Sequence, residues 1–277
     1  ATPHTLHADQ VIMAARSGKH VYTEKPFALN AQDARRAVKA AEEGGIQIAL
    51  GHDQRHYPVI KRLGEMIAND TFGKILHIET NLSHGSVADL YKEAALKKGP
   101  EPARGWRLCP NEVPMGPISQ FGIHRLDTFI HLLGKIDWVF AASSAQGINP
   151  SFIDTLSITV GFESGVTGYL GNSVATPLHS SLRIFGTKIW AESGGPVTFN
   201  EYRECSLVNL VVFSEGSRKE QKFEIIDSVA NNFESFADSI EGKSNFIISP
   251  EEMVHNIAVV DAIGVSLETG KKVMVKT

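Results

Sequence analysis

The sequence predicts two joined parts. The first is the C-terminal portion of a doubly wound α/β unit with a parallel sheet, and the second is an α+β domain on a large, mostly antiparallel sheet. Three observations predict this. The first fifty residues alternate helix and strand with short joints, as parallel sheets do. Beyond Arg55 short alternating segments follow one another, separated by turn residues. The length of 277 residues, at about 150 per domain, corresponds to roughly two domains. We place the boundary so that 1–53 is the βα part and 54–277 the second domain.

In the first part, Leu6, Val11, Ile12, Ala14 and Ala15 mark one helical face, and Gly18 stops that helix. Val21 and Tyr22 form a strand with Glu24-Lys25-Pro26 at its end. Asn30 caps the next helix, with Asp33 in its first turn. Its apolar stripe is Ala34, Ala37, Val38 and Ala41, and Gly44-Gly45 closes it. Ile46–Leu50 is a second strand. In the second part, Tyr57–Asn69 reads as a helix and Ile75–Ser83 as a half-buried strand. Val87–Arg107 reads as a polar loop or lid, the stretch from Ser83 to Trp106 is expected to border the substrate, and Ile118–Leu133 reads as a helix ended by Gly134. Strands are expected at 138–145, 155–162, 166–173, 181–185, 189–192, 207–213 and 222–226, with Glu163-Ser164-Gly165 as a hairpin turn. Ser249-Pro250-Glu251-Glu252 is a capping box opening a buried helix to Thr269.

Composition narrows the function classes. Lys plus Arg is 27 and Asp plus Glu 31, a net charge of −4, with no basic cluster. That argues against nucleic acid as a partner. No apolar run approaches the ~18 residues of a membrane helix, so no membrane partner is expected. Two cysteines, Cys109 and Cys205, without CxxC spacing suit a reducing cytoplasm and no structural zinc.

Three stretches carry chemistry. Thr2-Pro3-His4-Thr5-Leu6-His7 precedes a helix. Gly18-Lys19-His20-Val21-Tyr22-Thr23-Glu24-Lys25-Pro26 ends a strand. Gly116-Pro117-Ile118-Ser119-Gln120-Phe121-Gly122-Ile123-His124 opens a helix, shortly after Gly105-Trp106-Arg107. Pro26 biases Lys25 towards extended backbone at the strand end. A lysine there can donate to a substrate hydroxyl and favour a developing alkoxide. An imidazole titrates near working pH, which suits His124 as a general base.

Together these stretches strongly resemble the Gfo/Idh/MocA family of NAD(P)-dependent oxidoreductases, over essentially the whole chain. The resemblance implies an incomplete Rossmann domain followed by an α+β domain. It implies NAD or NADP as cofactor and a sugar- or polyol-like substrate. It matches Lys25 and His124 to the family's catalytic lysine and histidine, with Gln120 at a third catalytic position. It puts Thr2, Pro3, His4, His7, Glu24, Lys25, Pro26, Trp106 and Arg107 beside the cofactor. It puts Lys25, Arg55, Arg107, Gln120 and His124 beside the substrate. No metal is implied.

Two departures stand out. No glycine-rich GxGxxG turn occurs; the chain opens at what reads as the end of a fourth strand, roughly 60–70 residues into such a domain. Gln120 stands where many family dehydrogenases carry Asp, and an amide cannot act as a base. Asp127 and His131 read as packing residues. His52 and His56 mimic a metal pair by spacing, but a strand end at His52 and the lack of a third ligand argue against one. Two further functions stay open: an NAD-dependent glycosidase or epimerase of the same superfamily, and a non-catalytic sugar-sensing regulator. A large sheet with few covering helices leads us to expect a homodimer or homotetramer through that sheet.

Overall fold

The computed structural model describes residues 2–96, 105–109, 111–148, 150–195 and 207–276. The first part is a βα repeat. A short 3₁₀ turn, His4–Leu6, runs into helix α1, His7–Arg16. Strand β1 is Val21–Thr23, helix α2 is Ala31–Glu43 and strand β2 is Ile48–Leu50. The two strands pair in parallel, Val21 opposite Ile48. Asn30 caps α2 as expected, its side chain accepting from the amide of Asp33 at 2.8 Å.

A 3₁₀ turn, Asp53–His56, leads to helix α3, Pro58–Ala68. Strand β3 is Ile75–Ser83 and helix α4 is Ser86–Leu96. A π-helical turn, Ile118–Gly122, opens helix α5, Ile123–Leu133. Then come β4 Ile136–Ser144, β5 Thr155–Phe162, β6 Thr167–Ser173, β7 His179–Gly186 and β8 Trp190–Gly195. They are followed by β9 Asn209–Ser214, β10 Ser217–Lys222 and helix α6, Ser228–Ile240. Helix α7, Pro250–Thr269, and the short strand β11, Val273–Met274, complete the chain.

Nine strands form one sheet in the order β10-β9-β8-β7-β3-β6-β5-β4-β11. Every pairing is antiparallel except β3 with β6. One face is buried, with Ile78, Leu82, Val139, Ile158, Leu170, Leu182 and Ile184 pointing into the core. The period of two puts the alternate residues on the other face. Its cross-strand rows run Phe140, Thr159, Tyr169, Glu79, Arg183, Glu192 and, one register on, His77, Phe185, Trp190, Phe213. The aromatic rings stack, Trp190 on Phe213 at 3.9 Å.

Helix α7 ties the parts together. Its capping box is formed as the sequence predicts. Its Asp261 carboxylate accepts from the amide of Ala31 at the start of α2, at 2.8 Å. On the sheet side, Ser266 accepts from the amide of Ala141 at 2.9 Å and His255 from that of Ile136 at 3.0 Å. The hydrophobic core is continuous from Ala8 to Ile263, so α7 is buried between both parts.

Several sequence expectations need correction. The loop expected from Val87 contains α4 instead, because Ser86–Leu96 is rich in the helix formers Ala, Leu, Lys and Glu. Residues 97–104 lie outside the described residues. No strand spans 222–226; the strand there is β10, paired with β9 through a turn at Gly216. Helix α6 escaped the sequence reading because its fully buried face is small and polar: Ser228, Asn232 and Ser239. The helix expected over 118–133 begins with a π turn.

Candidate active site

The cleft is assembled from three chain segments. Strand β1 carries Lys25 just past its carboxyl end, where parallel sheets present ligand-binding groups. Strand β2 carries His52 just past its own end. The π turn and the first turn of α5 bring Gln120, Phe121 and His124 from the second part. Gly122 lets this segment pack closely, since a Cβ there would lie 2.6 Å from Ile118 Cδ1 and 2.7 Å from Asn172 Oδ1.

Lys25 precedes a cis peptide bond to Pro26. Its ammonium donates to the backbone carbonyl of Gln120 and lies 5.9 Å from the Phe121 ring centroid. Burial, and then the charge of Arg107, lower its pKa from 10.5 to about 8. Lys25 reaches the turn that carries His124, and its charge helps hold His124 neutral.

Burial pushes the pKa of half-buried His124 well below the ordinary imidazole value, reinforced by Lys25 and His52. Its Nδ1 lies 3.3 Å from Nδ1 of His52, with the rings nearly perpendicular at 84°. His52 is itself buried, and its pKa falls to about 4, mainly through burial against an opposing pull from Asp127. Both rings are thus neutral at neutral pH, and a neutral imidazole can take a proton.

Gln120 is 1% exposed. Its amide donates to the backbone carbonyl of Arg107 at 2.8 Å, and its Oε1 faces the Arg107 guanidinium at 3.4 Å. Its main-chain carbonyl, not its amide, meets Lys25. The wide π turn explains this: with i→i+5 bonding, residue 120 no longer stacks one α-turn before His124. Arg107 also covers the Trp106 ring at 4.7 Å.

The segment from Thr2 to His7 borders the same cleft. His4 is buried, donates from Nδ1 to the carbonyl of Glu112 at 2.8 Å, and meets the Trp106 ring edge-on at 4.7 Å. His7 is turned inwards: Nδ1 contacts the carbonyl of Pro26 at 2.7 Å and Nε2 that of Thr2 at 3.1 Å. It therefore braces the turn beneath the cleft rather than facing a cofactor. Thr2 hydrogen-bonds Gln10 at 2.9 Å, and Glu24 lies against Gly51, where a Cβ would come within 2.9 Å of its carboxylate.

Arg55 is held in an ion-pair network. It is 1% exposed and makes a bidentate pair with Asp127 at 2.9 and 2.7 Å. Its remaining nitrogen donates to the carbonyl of Ile247 at 3.0 Å and to Glu252 at 2.9 Å. The guanidinium joins the crossover to α5 and α7. Among the described residues no three metal-ligating side chains gather around His52 and His56. His52 faces His124 instead, a contact that sequence spacing did not show.

A parallel βα unit presenting a lysine at a strand end, against the turn that opens a helix bearing an imidazole, is the arrangement of a two-domain oxidoreductase of the dinucleotide-binding type. The chain belongs to the Gfo/Idh/MocA family. Residues 1–52 match the family's NAD-binding Rossmann-fold model and residues 60–192 its C-terminal domain model. D-xylose 1-dehydrogenase (NADP(+)) 2 of Haloferax volcanii is 25% identical over 98% of this chain and 78% of its own length. The 2,7-anhydro-N-acetylneuraminate hydratase of Escherichia coli is 31% identical over 68% of this chain and 48% of its own. A candidate NADPH-dependent oxidoreductase structure from Desulfitobacterium hafniense superposes with a TM-score of 0.86 at 28% identity, covering 99% of this chain and 78% of that one.

The family's cofactor is a nicotinamide dinucleotide. The described residues fit its nicotinamide end. Pro3, His4 and Trp106 offer flat and apolar surfaces, and Lys25 and Arg107 supply cationic donors along one edge. The sequence contains no glycine-rich strand-to-helix turn for the pyrophosphate.

Proposed function

We propose that this protein is an NAD- or NADP-dependent dehydrogenase that oxidises a CH–OH group of a sugar- or polyol-like substrate. The observation that carries this reading is the meeting of Lys25 with the turn bearing His124 in one cleft. The substrate class rests on relatives named as dehydrogenases of D-xylose and scyllo-inositol. When bound, the nicotinamide supplies the hydride acceptor.

The remaining chemistry belongs to this chain. The Lys25 ammonium donates a hydrogen bond to the hydroxyl oxygen and stabilises negative charge as it develops there. His124 accepts the hydroxyl proton at Nε2, which makes no hydrogen bond among the described residues. The hydride leaves the same carbon, so the carbinol becomes a carbonyl. Arg107, steered by the Gln120 amide, borders the reacting carbon and keeps Lys25 from being over-stabilised as a cation.

A second reading is favoured by the relative named as a hydratase. In it the same hydride and proton transfers run forwards and then back, and a glycosidase- or epimerase-like product leaves without net redox. Incubating the protein with NAD(H), NADP(H) and a panel of sugars, polyols and anhydro-sugars decides. We expect net NAD(P)H absorbance with a stoichiometric ketone or lactone. Product without NAD(P)H supports the second reading, and sugar binding without any turnover makes the protein a sensor.

We further propose a cytoplasmic homodimer or homotetramer, joined through the open sheet face with its Phe140 and Tyr169 side chains. These are 43% and 39% exposed. No helix among the described residues is long and apolar enough to cross a membrane.

A further inference from the structure

Gln120 cannot share the proton taken by His124, because its amide is neutral and committed to Arg107. Among the described residues the ring of His124 has one hydrogen-bonding partner, and that partner is a second imidazole. Two neutral imidazoles joined Nδ1 to Nδ1 share one proton, so their tautomers are linked. If His124 carries it, the His124 Nε2 lone pair is a base and His52 must hold its proton on Nε2. If His52 carries it, His124 presents an Nε2–H and acts as an acid. The His52 Nε2 is buried with no hydrogen-bond partner, so nothing on its far side locks either tautomer. The pair is therefore free to switch.

We propose that His52 is a positioning residue and second proton acceptor for His124, so that the substrate proton arrives at His124 Nε2 while the His124 Nδ1 proton passes to His52 Nδ1. The step balances. One O–H bond breaks and one N–H forms at His124 Nε2; one N–H breaks at His124 Nδ1 and one forms at His52 Nδ1. His124 ends neutral and the charge rests on His52. Burial, Arg55 from the adjoining turn and Lys25 from the β1 end oppose that charge and the Asp127 carboxylate of α5 attracts it, so the proton rests on His52 only in passing. Lys25 and Arg125 face His124 in the same sense. The Arg55–Asp127 pair thus lies beside the acceptor and holds its carboxylate in place.

This inference rests on the dehydrogenase reading, and its test separates the two. His52→Phe fills the space and removes both nitrogens. His52→Asn keeps one polar atom near Nδ1 but cannot take a proton. Ring ¹⁵N NMR of histidine-labelled protein reads the tautomers without turnover. We expect linked His52 and His124 signals in the unsubstituted protein and a changed His124 tautomer in both variants. In turnover we expect kcat to fall about 10- to 100-fold with KM and NAD(P)H affinity unchanged, and the acidic limb of the pH profile to move. Tautomers that stay as they were in both variants would overturn the proposal, as would unchanged kcat. An unsubstituted protein that turns over no substrate would overturn the dehydrogenase reading alone, since the NMR arm still decides on the imidazole link. Should His52→Phe fail to fold, His52→Asn carries the same outcomes.

Discussion

Lys25 and Arg55 are two cations with opposite fates. Lys25 keeps its ammonium at the cleft, and burial brings its pKa down to about 8. Its donor form therefore declines as pH rises through about 8, not through the usual 10.5. For stability the sign follows: the folded pKa is depressed, so the penalty of the buried charge is full below about pH 8 and fades between there and 10.5. His124 is shifted below 6.5 and stays available as a base through neutral pH. We expect kcat/KM for oxidation to form a plateau from below pH 6.5 to about pH 8, then to fall. A pH–rate profile that falls only near pH 10 would contradict this. Arg55, by contrast, is consumed by Asp127 and Glu252. Removing one partner of a buried pair costs about 3–5 kcal/mol. Arg55→Ala should lower the urea midpoint accordingly; a raised KM with an unchanged midpoint would return Arg55 to the substrate.

At the scale of elements, Lys25 and His124 were legible because each sits in a short motif at an element boundary. The strand-end Lys-Pro and the glycine-rich helix start are local signals. His52 and Arg55 were not legible, since their partners lie 72 residues away in each case. Tertiary packing, not spacing, selects those contacts. The π turn was likewise hidden, because no residue preference separates it from an α-helix start. Its geometry depends on Gly122, whose absent Cβ leaves room for Ile118 and for Asn172, itself tied to the carbonyl of Leu82. Overpacking at such a point costs about 1–3 kcal/mol. Gly122→Ala should show that loss in thermal unfolding, and displacement of His124 should lower kcat by tenfold or more. A variant with native stability and native kcat would mean that the turn is not what places His124.

For the molecule as a whole, the alternating strands read correctly as one mostly antiparallel sheet, while α4 was taken for a loop and α6 was missed although Val229, Phe233, Phe236 and Ile240 mark an apolar stripe along it. The sheet's open face carries charged and aromatic rows set by its register, including the Glu79–Arg183–Glu192 ladder. Exposed Phe140 and Tyr169 share one row with Thr159 between them. If copies join there, Phe140→Asp with Tyr169→Asp should turn a dimer or tetramer into monomer in sedimentation equilibrium while the fold persists. Equal mass for both proteins would exclude that face. The central claim is that Lys25 and His124 act on one carbinol from a shared cleft. Its most direct test is kcat/KM for NAD(P)H formation in Lys25→Met and His124→Asn, with cofactor dissociation constants measured alongside. The account predicts losses of about 10²- to 10⁴-fold for each, with cofactor affinity within about twofold for His124→Asn. Retention of kcat/KM within a few-fold in either variant would contradict it.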